Sequence, residues 1–315
     1  MSFSSDLKDE LIKLKIRTDE EKRAMLAALT HTAGAMTLSS GFGLGVQYMT
    51  ENSNVAKLVA KLAKALYNID AAIGVKENTQ LKNRYYMTLL RGENCKTLLE
   101  DVGYLAKDDN DESFEIGHVD ASLLDNEDKQ RAFIRGAFLG SGSVNAPDKG
   151  YHAEIICRYE RFARELSDIL SNYYIDAKLT DRKSQSVLYI KEGDKVSDLI
   201  KLLGASDAAM QFEEVRLFRG VKNDLNRRRN FEDANMNKSA TASAKQLVDI
   251  ELIKSVMPLS SLSKPLYEAA EARLNNPEAN LADLAQMLNV GKSGVNHRFI
   301  KLAAIADSIR NGEKV

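Results

Sequence analysis

The chain of 315 residues has no tryptophan, only 4 prolines and only 2 cysteines. So few prolines are more typical of a helix-rich chain than of an all-β chain with many turns. Cys95 and Cys157 lie far apart, and neither belongs to a Cys-x-x-Cys pair, so we expect neither a disulfide framework nor a zinc module. Both are predicted to be buried thiols in a reducing compartment.

Long apolar runs are also missing. No segment approaches the roughly 20 apolar residues of a membrane span, and residues 1–8 lack the apolar core of a signal peptide. The sequence therefore predicts a soluble, cytoplasmic protein without a membrane partner. Its formal net charge is −1, so any affinity for nucleic acid must come from local basic patches and not from the overall charge.

Hydrophobic residues make up 44% of the chain, which is ample for packed cores, and the length suggests two or three domains. One order of predicted elements occurs twice: helix, strand, helix, two strands and a closing helix, first in residues 1–106 and again in 129–212. The clearest local match is YNIDA at 67–71 against YYIDA at 173–177. We interpret the acidic stretch between the halves, 107–128, as a solvated connector, because its carboxylates lack the order of a calcium loop.

Two more segments follow the repeat. Residues 213–258 are basic and mostly helical, and Arg227, Arg228 and Arg229 are candidate phosphate contacts. Residues 259–315 show the pattern of three short helices, a helix-turn-helix. We expect Asn280 to cap the second helix, and we expect Gly291, with positive φ, and Ser293, as a cap, to begin the third.

The third helix carries the predicted DNA contacts. Its period places Val295, Phe299 and Leu302 toward a core, so that the polar residues between them point outward. Asparagine can read adenine, and arginine can read guanine or contact a phosphate. A three-helix bundle with an ordinary polar face is the alternative. Within about Asn280 to Arg310, the predicted DNA-binding residues are Lys292, Ser293, Asn296, His297, Arg298 and Lys301.

Three stretches resemble known families. Residues 131–145, RAFIRGAFLGSGSVN, resemble the signature helix of LAGLIDADG homing endonucleases. NRRRN at 226–230, followed by Ala234, Asn235 and Lys238, looks like the interdomain signature of the bacterial WhiA family, although Phe231 stands where that family usually has cysteine. GKSGVNHR at 291–298 closely resembles that family's helix-turn-helix. The resemblance implies an α+β fold: a duplicated LAGLIDADG-like domain of two αββαββα-type halves with pseudo-twofold symmetry, joined to an all-α helix-turn-helix domain.

The resemblance also implies what the first domain does not do. An active LAGLIDADG enzyme needs an acidic residue near the end of each signature helix to hold divalent metals. Alignment on Gly34 and Gly142 puts those positions at His31 and Leu139, which do not suit Mg²⁺. We therefore expect no catalytic residue, metal or cofactor. A residual nuclease that uses Asp70 or Asp176 is the enzyme alternative.

The function implied by the resemblance is transcriptional regulation through double-stranded promoter DNA, linked to cell division, chromosome segregation and, in some members, sporulation. Such a protein would be associated with the nucleoid. The LAGLIDADG-like domain could bind a sigma factor, RNA polymerase or another regulator, and whether its strand saddle binds DNA or protein is left open. A nucleoid-associated architectural protein with little sequence preference is the alternative.

Overall fold

The computed structural model describes residues 2–39, 43–78, 83–107, 114–115, 119–182 and 185–312. The chain forms two compact units, Met1–Arg219 and Gly220–Val315. Their boundary falls inside one 51-residue helix, Ser206–Val256, that contains much of the segment predicted as basic and helical. The division into the five predicted segments, 1–106, 107–128, 129–212, 213–258 and 259–315, remains a proposal.

The first unit contains two similar halves joined by a short connection. The first half comprises α1 (Phe3–Lys13), α2 (Asp19–Ala33), β1 (Gly34–Ser39), β2 (Gly43–Thr50), α3 (Ser53–Tyr67), β3 (Ala71–Asn78), β4 (Asn83–Arg91) and α4 (Asn94–Asp101). The connection holds β5 (Ala106–Lys107), β6 (Phe114–Glu115) and a 3-10 turn (Ala121–Leu123). The second half comprises α5 (Glu127–Ser141), β7 (Gly142–Val144), β8 (Ala153–Cys157), α6 (Glu160–Ser171), β9 (Lys178–Arg182), β10 (Gln185–Ile190) and α7 (Gly193–Leu203).

The sheets confirm the predicted duplication. Their strand orders are β1-β2-β4-β3 and β7-β8-β10-β9, with all pairings antiparallel. The order read from the residue pattern missed one strand in each half, because two strands and not one follow each signature helix, as in the αββαββα-type halves that the resemblance implied. These extra strands, β1 and β7, begin directly at Gly34 and Gly142, where the backbone becomes extended without an intervening loop. β7 has only three residues, and the apolar residues of β1, Met36 and Leu38, are exposed, so neither strand shows the pattern of a half-buried strand.

The two signature helices, α2 and α5, pack closely in the middle of the unit. A Cβ atom at Gly136 would lie 2.3 Å from the backbone oxygen of Met25, and one at Gly140 would lie 2.0 Å from Thr32 Oγ1. Gly136 is therefore required by the close approach of the two backbones, and Gly140 makes room for the side chain of Thr32. Residues 24–31 of α2 are all buried, as expected for a helix surrounded by other elements.

The second unit is all-helical within its described residues. After the end of the long helix, α8 (Ser206–Val256), come a 3-10 turn (Leu259–Ser261), α9 (Lys264–Asn275), α10 (Leu281–Met287) and α11 (Lys292–Arg310). Ile250 and Ile253 of α8 join Leu284, Val295 and Phe299 in one buried cluster. In the part of the chain that the structure describes, no helix combines the length and the apolar character needed to cross a membrane.

Candidate nucleic-acid interface

The helix-turn-helix begins with a capping box at α10. Asn280 Oδ1 accepts hydrogen bonds from the N–H groups of Ala282 at 2.7 Å and Asp283 at 3.2 Å. In return, Asp283 Oδ2 accepts the N–H of Asn280 at 3.0 Å. These bonds satisfy N–H groups that a helix start otherwise leaves unpaired, and they confirm the predicted role of Asn280.

The turn before α11 differs from the prediction. Asn289 has the positive φ, 47°, whereas φ of Gly291 is −69°. Gly291 is the N-cap of α11, and it lacks a side chain to cap with. The expectations of a positive φ at Gly291 and a cap at Ser293 were therefore wrong. Asparagine tolerates the left-handed region better than most residues, so the turn needed no glycine there, and Ser293 lies within the first turn of the helix.

Helix α11 presents one buried face and one exposed face. Val295, Phe299 and Leu302 are buried as predicted, at 0%, 4% and 1% exposure. Ile300, which the sequence analysis did not single out, is 58% exposed and lies among the polar residues. The exposed face of α11 includes five of the six predicted DNA-binding residues: Lys292, Ser293, Asn296, His297 and Lys301.

Arg298 is the exception, and its predicted outward orientation was wrong. Its side chain is only 18% exposed, and its Nη1 atom lies 3.6 Å from Glu268 Oε2 of α9. The cause is its place on the helix, since the 3.6-residue repeat turns position 298 toward the side on which α9 packs. The guanidinium therefore lies beside a carboxylate, although its buried Nη1 atom makes no hydrogen bond within the described residues.

Arg273 is a buried arginine of α9 that the sequence did not mark as a site or core residue. Only 2% of it is exposed, which is rare for an arginine. Its Nε–H donates to Gln246 Oε1 of α8 at 3.0 Å, and Nη1 donates to the backbone oxygen of Ala279 at 2.5 Å. Its guanidinium carbon also lies 5.4 Å from the ring centre of Phe299. One side chain therefore links α8, α9, the turn before α10 and α11.

The arginine run on α8 is well exposed. Arg227 and Arg229 have side-chain exposures of 84% and 82%, and their carboxylate neighbours, Asp224 and Asp233, lie at 4.0 Å and 3.9 Å. Arg228 between them is exposed as well. Such distant surface pairs contribute little, so these guanidinium groups are accessible to a phosphate.

The first unit contains a groove at the ends of α2 and α5, which we call the helix-end groove. Its volume is about 930 Å³, and its lining includes Lys8, Ala33 and Ser141. The residues that the alignment places at the metal positions of an active LAGLIDADG enzyme lie elsewhere: His31 and Leu139 are 2% and 0% exposed, in the core. The helix-end residues that line the groove are Thr32 and Ala33 of α2 and Gly140 and Ser141 of α5, and not His31 and Leu139.

The chemistry of the helix-end groove is unsuited to a divalent metal. Ala33 offers no side-chain ligand, Ser141 Oγ donates its proton to the backbone oxygen of Ile156 at 2.6 Å, and Glu51 supplies one carboxylate to the lining. Lys8 brings an ammonium group into the groove; burial lowers its pKa to about 8, against an opposing effect of Glu51. Among the described residues, no cluster of three histidine, cysteine or acidic side chains could hold a metal ion.

The carboxylates of the enzyme alternative lie on the surface. Asp70 is 87% exposed at its side chain and pairs with Lys64 at 2.9 Å. Asp176 is also exposed. Neither residue is among those that line the helix-end groove.

The ring of His31 is part of the hydrophobic core. It stacks on Phe162 with ring centres 4.7 Å apart and meets Tyr104 edge-on at 5.3 Å. Burial lowers the pKa of His31 to about 4, while backbone groups of Val102 and Gly103 oppose the shift. The imidazole is therefore neutral at pH 7.

Comparison with known proteins covers both units. Family models match residues 19–105 as a WhiA N-terminal LAGLIDADG-like domain, 130–222 as a WhiA LAGLIDADG-like domain and 225–306 as a WhiA C-terminal HTH domain. A protein of Clostridium novyi named probable cell division protein WhiA is 36% identical over 318 residues and covers 100% of both chains. The chain belongs to the WhiA family. A relative from Staphylococcus haemolyticus with the same name is 36% identical over 100% of this chain and 99% of its own.

Solved structures of WhiA proteins share the fold. Full-length WhiA from Thermotoga maritima is 23% identical, covers 98% of each chain and superposes with a TM-score of 0.60. The N-terminal LAGLIDADG domain of a WhiA protein is 20% identical, covers 64% of this chain and 90% of its own, and gives a TM-score of 0.50. The predicted fold, two LAGLIDADG-like halves and a helix-turn-helix, is thus confirmed for this member of the WhiA family.

Proposed function

We propose that this chain is a sequence-specific DNA-binding transcriptional regulator, associated with the nucleoid, in which α11 enters the major groove. The observation that carries this proposal is the exposed face of α11 on a helix-turn-helix. The exposed residues in its first three turns are Lys292, Ser293, Asn296, His297 and Lys301. Neither lysine has an ion-pair partner within the described residues. The opposite face of the helix is fixed in the core of the second unit.

Four exposed residues of α11 suit particular components of DNA. Asn296 can form two hydrogen bonds with adenine, and Ile300 can pack against a thymine methyl group. Lys292 and Lys301, near the start and the middle of the helix, can neutralise phosphates. Arg298 is left out of this set because its side chain is mostly buried beside Glu268 of α9.

The test is a gel-shift titration of a promoter fragment. Asn296→Ala should weaken specific binding by about tenfold, on the order of the 1–3 kcal/mol of a bidentate base contact. Lys301→Ala should weaken specific and non-specific binding alike. The control is Lys254→Ala, which removes an exposed lysine of α8 that pairs with Glu251 at 3.5 Å. Equal affinities for the wild type and both α11 variants would refute the assignment.

Genome-wide occupancy separates regulation from the architectural alternative. A regulator should give discrete peaks near promoters, and Asn296→Ala should flatten them. Smooth coverage that Asn296→Ala leaves unchanged would favour an architectural protein with little sequence preference.

We further propose that nuclease activity has been lost. Ala33, Ser141 and the Lys8 ammonium group support this, because a divalent metal prefers several carboxylate ligands and is repelled by a fixed cation, whereas the residues that line the groove include one carboxylate, Glu51, which faces Lys8. Supercoiled plasmid incubated with the protein and Mg²⁺ or Mn²⁺ should remain intact. Protein-dependent nicking that disappears in an Asp70→Ala or Asp176→Ala variant would establish the enzyme alternative instead.

We also propose that the first sheet binds protein, such as a sigma factor, RNA polymerase or another regulator. Thr88 Oγ1 donates to the backbone oxygen of Ala56 in α3, so the neighbouring residues of β4, Met87 and Leu89, face away from that helix. Met49 pairs with Met87 and is 42% exposed. Met49, Met87 and Leu89 form an apolar patch on this face, between Lys76, which pairs with Tyr85, and Arg91 at the end of β4. An exposed apolar patch of this kind suits a protein partner more than a phosphate backbone. Met49→Glu should abolish co-elution with RNA polymerase holoenzyme while promoter binding is retained; co-elution that survives would contradict this assignment.

A further inference from the structure

A large groove lies beside the helix-turn-helix within the second unit. Its volume is about 1170 Å³. One wall is the part of α8 from Glu232 to Leu247, and the other consists of the turn before α10 together with Lys292 at the start of α11. We call it the α8 groove.

The walls of the α8 groove are held apart by defined contacts at its base. Ser243 Oγ donates to the backbone oxygen of Pro277, and the Arg273 guanidinium donates to Gln246 and Ala279. Further along α8, the buried carboxylate of Asp249 pairs with Arg310 at 2.5 Å. Small side chains on the α8 wall, such as Ser239 and Ala242, leave the space between the walls open.

The groove's polar groups suit a negatively charged strand. Lys238 and Lys292 line it, and neither has an ion-pair partner within the described residues. Asn235 and Ser239, one helical turn apart on α8, add an amide and a hydroxyl donor. Lys238 and Asn235 belong to the stretch that resembles the interdomain signature. The DNA contacts proposed for α11 give these two residues no role.

Two acidic residues, Glu232 and Glu278, also line the groove. Their charges oppose any anion, so an anionic occupant depends on the two lysines. Methylene and methyl groups of the small residues between the polar ones can pack against an uncharged sugar. A nucleic-acid backbone, in which charged phosphates alternate with uncharged sugars, matches this mixture of lysines and small residues.

We infer that the α8 groove binds a phosphodiester strand of the DNA duplex, with Lys238 and Lys292 contacting phosphates. Lys292 is the first residue of α11, so the strand in the groove is one that borders the major groove occupied by α11. The inference rests on the proposed function and extends the DNA contact from α11 to α8. Phosphate contacts of this kind fix the orientation of a reading helix but carry no sequence information.

The experiment measures the affinity of the full chain for a promoter duplex and for an unrelated duplex at several salt concentrations. Lys238→Ala should weaken binding to both by about threefold to tenfold and should reduce the slope of log affinity against log salt by about 0.9. The matched control is Lys245→Ala, which removes an exposed lysine of the same helix that does not line the groove. A second pair adds one negative charge: Ser239→Glu inside the groove and Thr241→Glu outside it.

Each outcome decides between the claims. Groove variants that weaken binding to both duplexes while their controls do not would support the inference. If the wild type binds its promoter and Lys238→Ala and Ser239→Glu match their controls, the inference fails and the proposed function stands. If the wild type shows no preference for a promoter, the proposed function fails. Loss for the promoter duplex alone would show base reading at Lys238 and would overturn the phosphate assignment.

Discussion

The buried imidazole of His31 should make the first unit less stable as the pH falls. In the folded protein the pKa of His31 is lowered from 6.5 to about 4 by burial between Phe162 and Tyr104. Between those two pH values the unfolded chain binds a proton that the folded chain excludes, so stability is lost as the pH falls through this window. The full stability that depends on the neutral imidazole of His31 is present above about pH 6.5.

The size of the effect follows from the shift. The difference between 6.5 and about 4 corresponds to about 3 kcal/mol, at roughly 1.4 kcal/mol for each pH unit. Most of this loss is reached at about pH 4.5. A loss of this size is a large fraction of the stability of an ordinary domain, which is about 5–15 kcal/mol.

The assay is urea unfolding of the wild type and of His31→Phe at several pH values from 7.5 to 4.5, followed by circular dichroism. Hydrogen exchange at α5 assigns the transition to the first unit. Phenylalanine keeps a ring against Phe162 but cannot be protonated, so the stability difference between the two proteins should change by about 2–3 kcal/mol over this range. Carboxylates that titrate near pH 4.5 affect both proteins equally. Parallel loss of stability in the two would refute the reasoning, and His152→Phe, at a partly exposed site, serves as the control.

Two further predictions concern packing. Gly136→Ala should destabilise the first unit by about 1–3 kcal/mol, because its Cβ would press on a backbone oxygen of α2, whereas Gly220→Ala, in open space on α8, should be neutral or stabilising; thermal melts that rank the two the other way would contradict the close packing of α2 and α5. Arg273→Met should destabilise the second unit by about 2–4 kcal/mol through lost buried hydrogen bonds. Lys264→Met, exposed on the same helix, should not, and equal unfolding midpoints in urea would show that the Arg273 contacts carry no stability.

Much of the fold is visible in the sequence because it depends on local patterns. The glycines at 34 and 142 mark where the signature helices end, and the YNIDA and YYIDA stretches mark equivalent positions of the two halves. The capping role of Asn280 could be predicted because a cap depends on residues three positions apart. The residue pattern did not reveal β1 and β7, because β7 has only three residues and β1 continues directly from the end of α2 at Gly34.

The candidate site was predictable only in part. Helical periodicity assigned Val295 and Phe299 to the core correctly, since a core face depends on the helix alone. It did not reveal that Glu268 of another helix would hold Arg298, nor that Arg273 would be buried. Both facts depend on which helices pack together, and side-chain spacing along one helix does not contain that information.

The sequence by itself determined the two repeated halves, the helix-turn-helix and the lack of carboxylates near the ends of the signature helices, because each is a property of neighbouring residues. Only the tertiary structure decided that Ala33 and Ser141, and not His31 and Leu139, face the helix-end groove, and that Lys8 enters it. It also decided that Lys238 of α8 and Lys292 of α11 line one groove. These residues are distant in the chain, and they lie together only because the buried cores hold their helices in place.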